Sequence, residues 1–269
     1  MAARPFLGFA VFALAACSSA DEVAEDVGVE EKPAATASAS ATASSAKGVK
    51  VREETKLYIY EYAYPAQAAA IPALAAILDA RGARARDEMI GEVRELEAEE
   101  GDPGEFPVPQ HMFEEDWQVV ADLPGWLSLS GFFSTYTGGA HGMYGMEGYV
   151  WDKQRGRGMD SADLFRSPDY LGSLMGGRVC EALNKEREER RGEPVGESDD
   201  MFNGCPDLSE ATILVGSSNG KTFDRITVWF GPYVAGPWVE GAYELDFPMT
   251  KEMLEAVKPA YRSSFSAKR

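Results

Sequence analysis

Residues 117–136 read WQVVA-DLPG-WLSLSGFFSTY, and this stretch decides the fold. Trp117–Ala121 and Trp126–Tyr136 are β-rich runs, and Asp122-Leu123-Pro124-Gly125 between them is a turn sequence, so the segment predicts a hairpin. Upstream, Leu57–Tyr62 alternates with the period of a strand carrying an aromatic face. A helix is expected from Pro72 to about Glu99, with proline in its first turn and Leu74, Leu78, Ala85, Met89, Val93 and Leu96 near one stripe. Gly82 and Gly91 weaken it, its charged flank reads as a solvated face, and Gly101-Asp102-Pro103-Gly104 ends it. Downstream, Met146–Trp151 is a further strand closed by the turn at 152–156. Ser167-Pro168 opens a second helix, serine placed to cap it, with Tyr170, Leu171, Leu174, Val179 and Leu183 as its apolar side. That helix runs into the charged stretch Lys185–Arg191 and stops at Gly192. Strands at 211–215, 225–230 and 241–247, with an Asn219-Gly220 turn, precede a short closing helix near 251–257. Hairpins with helices between them predict an α+β fold with mainly antiparallel sheet, two longer helices and a short C-terminal helix. The domain is expected over 51–269, with an N-terminal lobe at about 51–137 and a C-terminal lobe at 138–269.

The N-terminus has another character. Arg4 is followed by PFLGFAVFALAA, Pro5–Ala16, without a charge. That is roughly 12 residues, where a membrane-spanning helix needs about 20, so residues 1–16 read as a signal peptide. Leu14-Ala15-Ala16-Cys17 resembles the bacterial lipobox at all four positions, which makes Cys17 the lipidation site and the lipid a membrane anchor; the plainer alternative is an ordinary signal peptide with an incidental cysteine. From Ser18 to about Lys50 the chain is rich in alanine, serine and threonine, with almost nothing bulky to bury, as expected of a disordered tether over 17–50. Ser18 follows the cysteine where many inner-membrane lipoproteins have aspartate. By resemblance to that sorting rule the protein is expected on the periplasmic side of the outer membrane, if its source has one.

The formal net charge is −18. Setting aside Arg4 and the six acids and three lysines of residues 17–50 leaves −16 on the domain. Such a surface repels phosphate backbones and argues against nucleic acid as a partner. It suits a cationic protein, although an acidic surface also serves solubility alone. Of three cysteines, Cys17 is taken by lipid, which leaves Cys180 and Cys205 as a pair in an oxidising compartment. A disulfide closing a loop of about 25 residues contributes roughly 3 kcal/mol on the chain-entropy model. Two separate thiols are the alternative. Neither a CxxC nor a histidine-rich cluster points to zinc, and no metal or cofactor is expected.

Two segments stand out. Tyr136-Thr137-Gly138-Gly139-Ala140-His141-Gly142 follows a strand, and its glycines permit a sharp corner. His141 is a ligand, a proton shuttle or a hydrogen-bonded corner residue; the structural role is the simplest. Phe230–Gly241, FGPYVAGPWVEG, lies between two strands, with Gly236 and Gly241 shaping a loop that presents Tyr233 and Trp238. Aromatics so held are binding anchors or packing for a sheet edge.

These two motifs in this order, with Asp163-Leu164-Phe165 between them, resemble an extracytoplasmic domain family. It is shared by the lysozyme-sensing domain of RsiV-type anti-sigma factors and the N-terminal accessory domain of PdaC-type peptidoglycan deacetylases. The resemblance spans roughly residues 55–260. It implies an α+β envelope domain and, in the anti-sigma setting, a surface for lysozyme. The chain departs from both settings: it has no cytoplasmic anti-sigma segment, no transmembrane helix and no deacetylase domain, whose metal site needs an aspartate and two neighbouring histidines. GxSxG, HExxH and SxxK with a partner motif are missing as well. The expected function is therefore a lipid-anchored, non-enzymatic binding or sensing module, its ligand peptidoglycan or a muralytic enzyme such as lysozyme. The alternatives are an envelope hydrolase using His141 or a carboxylate such as those at Glu114-Glu115-Asp116, and a purely structural lipoprotein.

Overall fold

The hairpin at 117–136 forms the middle of a six-stranded sheet. The computed structural model describes residues 47–100, 109–196 and 202–268; Cys17, the residues read as a signal peptide and nearly all of those read as a tether lie outside them. Strands β3 (His111–Asp122) and β4 (Trp126–Tyr136) pair antiparallel across the Asp122–Gly125 turn. Around them lie β1 (Val49–Glu54), β2 (Tyr58–Tyr64), β5 (Met143–Asp152) and β6 (Arg157–Asp160), in the order β1-β2-β3-β4-β5-β6. Val49 and Lys50, read as the end of the tether, open β1. β4 and β5, on either side of the 137/138 boundary, pair along their length. Only β2 and β3 run parallel within this sheet, because a helical crossover separates them. That crossover is a one-turn helix, α1 (Ala66–Ala69), and a long one, α2 (Pro72–Glu100). A second, antiparallel sheet follows the long helix α3 (Pro168–Arg191): β7 (Thr212–Gly216), β8 (Arg225–Phe230) and β9 (Tyr243–Pro248). The fold is α+β with mostly antiparallel sheet, as the hairpin pattern predicts.

Alternation along the strands divides the core in two. Leu127, Leu129 and Trp151 join Tyr60, Tyr62, Tyr64 and Trp117 beneath α2, which contributes Leu74, Leu78 and Met89. Their chain neighbours Trp126 and Val150 enter the other core, with α3 and the second sheet. The tyrosines of β2 do more than fill space. Tyr60 Oη donates to the Gly82 carbonyl at 2.8 Å, Tyr62 Oη to the Leu78 carbonyl at 2.7 Å and Tyr64 Oη to Asp79 Oδ1 at 2.7 Å. Three hydroxyls of one strand thus hold one short stretch of one helix, residues 78–82. Gly82 is their seat: a Cβ there would lie 2.9 Å from the Tyr62 ring. What the sequence suggests as a weak point in the helix is the position that admits the ring.

Helix α3 begins as expected, with the Ser167 side chain accepting from the Tyr170 amide and Gly192 closing it in the left-handed region at φ 72°. The short closing helix lies where the sequence places it and is of the 3₁₀ kind. Residues 251–257 form no α-helix; a single 3₁₀ turn, Met253–Ala256, is followed by a second, Pro259–Ser264. The Ala256 carbonyl is taken by the Arg166 amide at 2.8 Å, and the Lys258 amide by Leu164 at 2.9 Å. Pro259 also disfavours helical geometry at the residue before it.

Glu115 carries the main electrostatic tension in this half. It sits on β3 between Tyr62 and Phe133, and is 6% exposed. Burial pushes its carboxyl up to about 7; Arg81 opposes the shift and Glu147 adds to it. Arg81 is ion-paired to Glu147 and lies 5.0 Å over the Trp117 ring. Between the ordinary carboxyl value of 4.5 and about 7 the folded chain holds a proton that the unfolded chain has lost, so stability falls as pH rises through that window. The expected outcome is a loss on the order of 2–3 kcal/mol from pH 4.5 to above pH 7, absent in Glu115→Gln, read from urea midpoints across the range. Equal pH profiles for the two proteins would defeat it.

Candidate binding site

The two sequence motifs come from different sheets and meet. The first is the β4–β5 connection, in which Gly138 and Gly139 take φ values of 103° and 91°; a Cβ on Gly138 would also strike the Pro109 ring at 2.7 Å. Tyr136 Oη donates to the Gly139 carbonyl at 3.2 Å. His141 Nδ1 lies 2.9 Å from the Gly142 carbonyl, which can only accept, so Nδ1 carries the proton. That leaves Nε2 to accept from Tyr233 Oη, 3.2 Å away on the second motif. Trp238 stacks on the His141 ring, centroids 4.2 Å apart and planes inclined by 20°. Its indole N–H donates to the same Gly142 carbonyl at 3.2 Å.

The second motif, residues 231–242, joins β8 to β9. Its Tyr233 is the one non-glycine residue with positive φ, 67°, among the described residues. A bulky side chain in that region costs on the order of 1–2 kcal/mol, so its surroundings must impose it. Gly236 is buried against the Glu240 carboxylate, where a Cβ would overlap. Gly241, at φ 71°, lets the chain pass Tyr144, whose hydroxyl accepts from the Ala242 amide at 2.9 Å. Tyr233 is 49% exposed and Val239, next to Trp238, 84% exposed. Met143, at the far end of the first motif, is also exposed.

The loop is held from α3. Arg187, fully buried, donates through Nε and Nη2 to the Ala235 carbonyl at 2.9 and 2.7 Å. Arg190 Nη1 donates to the carbonyls of Glu240 and Ala242 at 2.6 and 2.8 Å, with its guanidinium 3.9 Å from the Tyr243 ring centre. Arg191 forms a two-pronged pair with Glu240 at 2.9 and 3.0 Å. Burial pushes the Glu240 carboxyl up, but hydrogen bonds from Arg191 and Tyr243 outweigh it and hold the group below its usual range. The same burial, joined by the charge of Arg191, lowers the Arg187 pKa, and it raises Tyr243 to about 12, helped by Glu240. Cys180 and Cys205 are bonded, their Cα atoms 5.4 Å apart, which draws the segment around 202–205 against the helix.

The structure brings Gly138, Gly139, His141, Gly142, Tyr233, Gly236, Trp238 and Gly241 into one cluster. His111, the other histidine, is buried at the start of β3 with neither ring nitrogen hydrogen-bonded. Sequence reasoning missed the arginines, which look like the solvated end of a helix. A signal was present: Leu171, Met175, Val179, Leu183 and Arg187 are spaced four apart, and all five are buried. Arg187 continues the apolar stripe.

Residues 51–144 match the model of a family described as deacetylase PdaC, a stretch that takes in the His141 loop and ends before the Tyr233 loop. Two solved structures are similar. One is a member of the DUF3298 family from Bacteroides fragilis NCTC 9343, 16% identical over 81% of this chain and 95% of that one, with a TM-score of 0.48. The other is a DUF3298 family protein from Pseudomonas aeruginosa PAO1, 14% identical over 83% and 98%, with a TM-score of 0.46. Comparison with curated proteins finds no match.

Arg187→Lys keeps the charge but replaces a five-donor fork with a single ammonium. It is expected to lower the unfolding free energy by about 2–3 kcal/mol, whereas Lys185→Ala, on the exposed side of the same helix, stays within about 0.5 kcal/mol. Urea denaturation of both variants checks this. A silent Arg187→Lys would show that the loop does not depend on the fork.

Proposed function

We propose that this chain is a lipid-anchored, non-enzymatic binding module of the bacterial cell envelope, which meets its ligand through Tyr233, Trp238 and Val239 beside His141. The observation that carries the reading is the pairing of exposure with rigidity. Tyr233 and Val239 are presented to solvent, yet their loop is fixed by three arginines, a stacked histidine and a strained backbone. Anchors of this kind dominate binding energies when they are already ordered. The match of residues 51–144 to a family described as a deacetylase supports an envelope setting, as does the lipobox at Cys17. By the resemblance of both motifs to the RsiV and PdaC domains, the ligand is a muralytic enzyme such as lysozyme, or peptidoglycan itself. The net charge of −18 favours the cationic protein kinetically.

Full-length chain on beads is expected to retain lysozyme or purified peptidoglycan, and Tyr233→Ala with Trp238→Ala to reduce retention at least tenfold, in the range of hot-spot truncations. If neither ligand is held above a control lipoprotein, the binding account fails. Cys17→Ser is expected to abolish palmitate labelling and move the protein from the membrane to the soluble fraction; a variant that still carries label would defeat the anchor. In a Gram-negative host, the wild-type chain is expected in the outer membrane.

A further inference from the structure

Arg187 is shared between two loops. Besides Ala235, its guanidinium donates to the Gly204 carbonyl at 2.9 Å, the Asn203 carbonyl at 3.4 Å and Asn184 Oδ1 at 3.0 Å. The side-chain Nδ2 of Asn184 lies 3.8 Å from Cys180 Sγ, one helical turn back. Cys180 is bonded to Cys205, the residue after Gly204. Arg191 repeats the pattern, reaching Glu240 on one side and Asn203 Oδ1 and the Phe202 carbonyl on the other, at 2.9 and 3.3 Å. The bond that keeps 202–205 on α3 therefore also keeps in place acceptors for two of the arginines that hold the aromatic loop. Cys205 is exposed and Cys180 half-buried, so the Cys205 end of the bond is the one nearer to an incoming thiolate.

We propose that the Cys180–Cys205 bond is a redox latch on the loop 231–242, tightening it when oxidised and loosening it when reduced. The proposal concerns control of the site described above and rests on that reading only for its effect on binding. A dithiol donor attacks Cys205 Sγ, forming a mixed disulfide and releasing Cys180 as a thiolate that takes up a proton. The donor's second thiol then displaces Cys205 as a thiol. The donor leaves as a disulfide, having supplied two electrons and two protons. Residues 202–205 are then free to leave α3, and Arg187 keeps its charge in a buried place with fewer acceptors. A buried cation so left draws in water or moves, and either outcome weakens its hold on the Ala235 carbonyl. Strands β8 and β9 have their own ladder, so the loop loosens while the sheet persists.

Hydrogen exchange on the full chain tests this in the oxidised form, after dithiothreitol and after reoxidation. Amides of 231–242 are expected to exchange about tenfold faster or more on reduction and to recover on reoxidation, while β3 and β4 stay unchanged. Cys180→Ser with Cys205→Ser should behave as the reduced protein. In Arg187→Lys the loop should already be loose, so that reduction adds little, as for two steps acting through one group. An unchanged loop overturns the latch; so does loss of protection in all strands together, which would make the bond a general staple. The same samples are offered lysozyme and peptidoglycan. Retention that falls on reduction supports control of binding, and equal retention with a loosened loop overturns it. If neither form retains either ligand, the binding account alone fails, and the latch is decided by exchange.

Discussion

A positive charge with no solvent around it must be answered by the protein, and Arg187 is answered almost entirely by carbonyls. Its partners are Ala235, Gly204, Asn203 and the side chain of Asn184, with no carboxylate among them. Burying such a group costs several kcal/mol unless its donors are satisfied. Its planar fork fixes where the acceptors can stand. The loop before β9, the segment around Cys205 and the end of α3 are therefore located by the needs of one guanidinium. Tyr233 can remain in a left-handed conformation because its neighbours are already fixed on both sides.

The opposite face of the large sheet is held differently. There the hydroxyls of Tyr60, Tyr62 and Tyr64 tie β2 to α2, and the ion pairs Arg81–Glu147 and Arg86–Glu53 tie the same helix to β5 and β1. This half determines where the β4–β5 loop, and so His141, begins. Several polar bonds join the two halves. Thr212 Oγ1 donates to the Met146 carbonyl at 2.7 Å, and Ala242 to Tyr144 Oη. Those bonds, with the apolar contacts of Trp126 and Val150, bring the His141 loop of one sheet against the Trp238 loop of the other. The cluster is thus a property of how two cores are joined, and neither motif contains it alone.

This explains which parts were legible. The hairpins, α2 and the start of α3 are written in local pattern: alternation, a turn sequence, Ser167 before Pro168. Strands β1 and β6 were not. The first is VKVREE, mostly charged, and the second is four residues long, so each takes its structure from a neighbour's ladder more than from its own side chains. The closing helix is legible as an element, but its 3₁₀ form is not, because the contacts that set it come from Leu164 and Arg166, some 90 residues earlier. The site residues were found by their unusual glycine and aromatic content. Their mutual contact could not be, since His141 and Tyr233 are 92 positions apart. Arg187 was hidden by its neighbours Lys185, Glu186, Glu188 and Glu189, which make a buried charge look like part of a solvated run.

The order in this site has a thermodynamic consequence. Fixing a flexible side chain on binding costs about 0.5–1.5 kcal/mol, and here Trp238 is stacked on His141 while the Tyr233 hydroxyl is bonded to it before any ligand arrives. Much of the ordering cost is thus met during folding, from the same interactions that hold Ala235 and Glu240. One face of Trp238 is already covered by the imidazole, so the surface open to a ligand is chiefly the Tyr233 ring and Val239. That is a small apolar area, and at about 25 cal/mol per Å² area alone supplies little affinity. Rigidity has to supply the rest. On the proposed binding role, whatever weakens the grip of α3 on this loop acts on affinity more strongly than its distance from Tyr233 suggests.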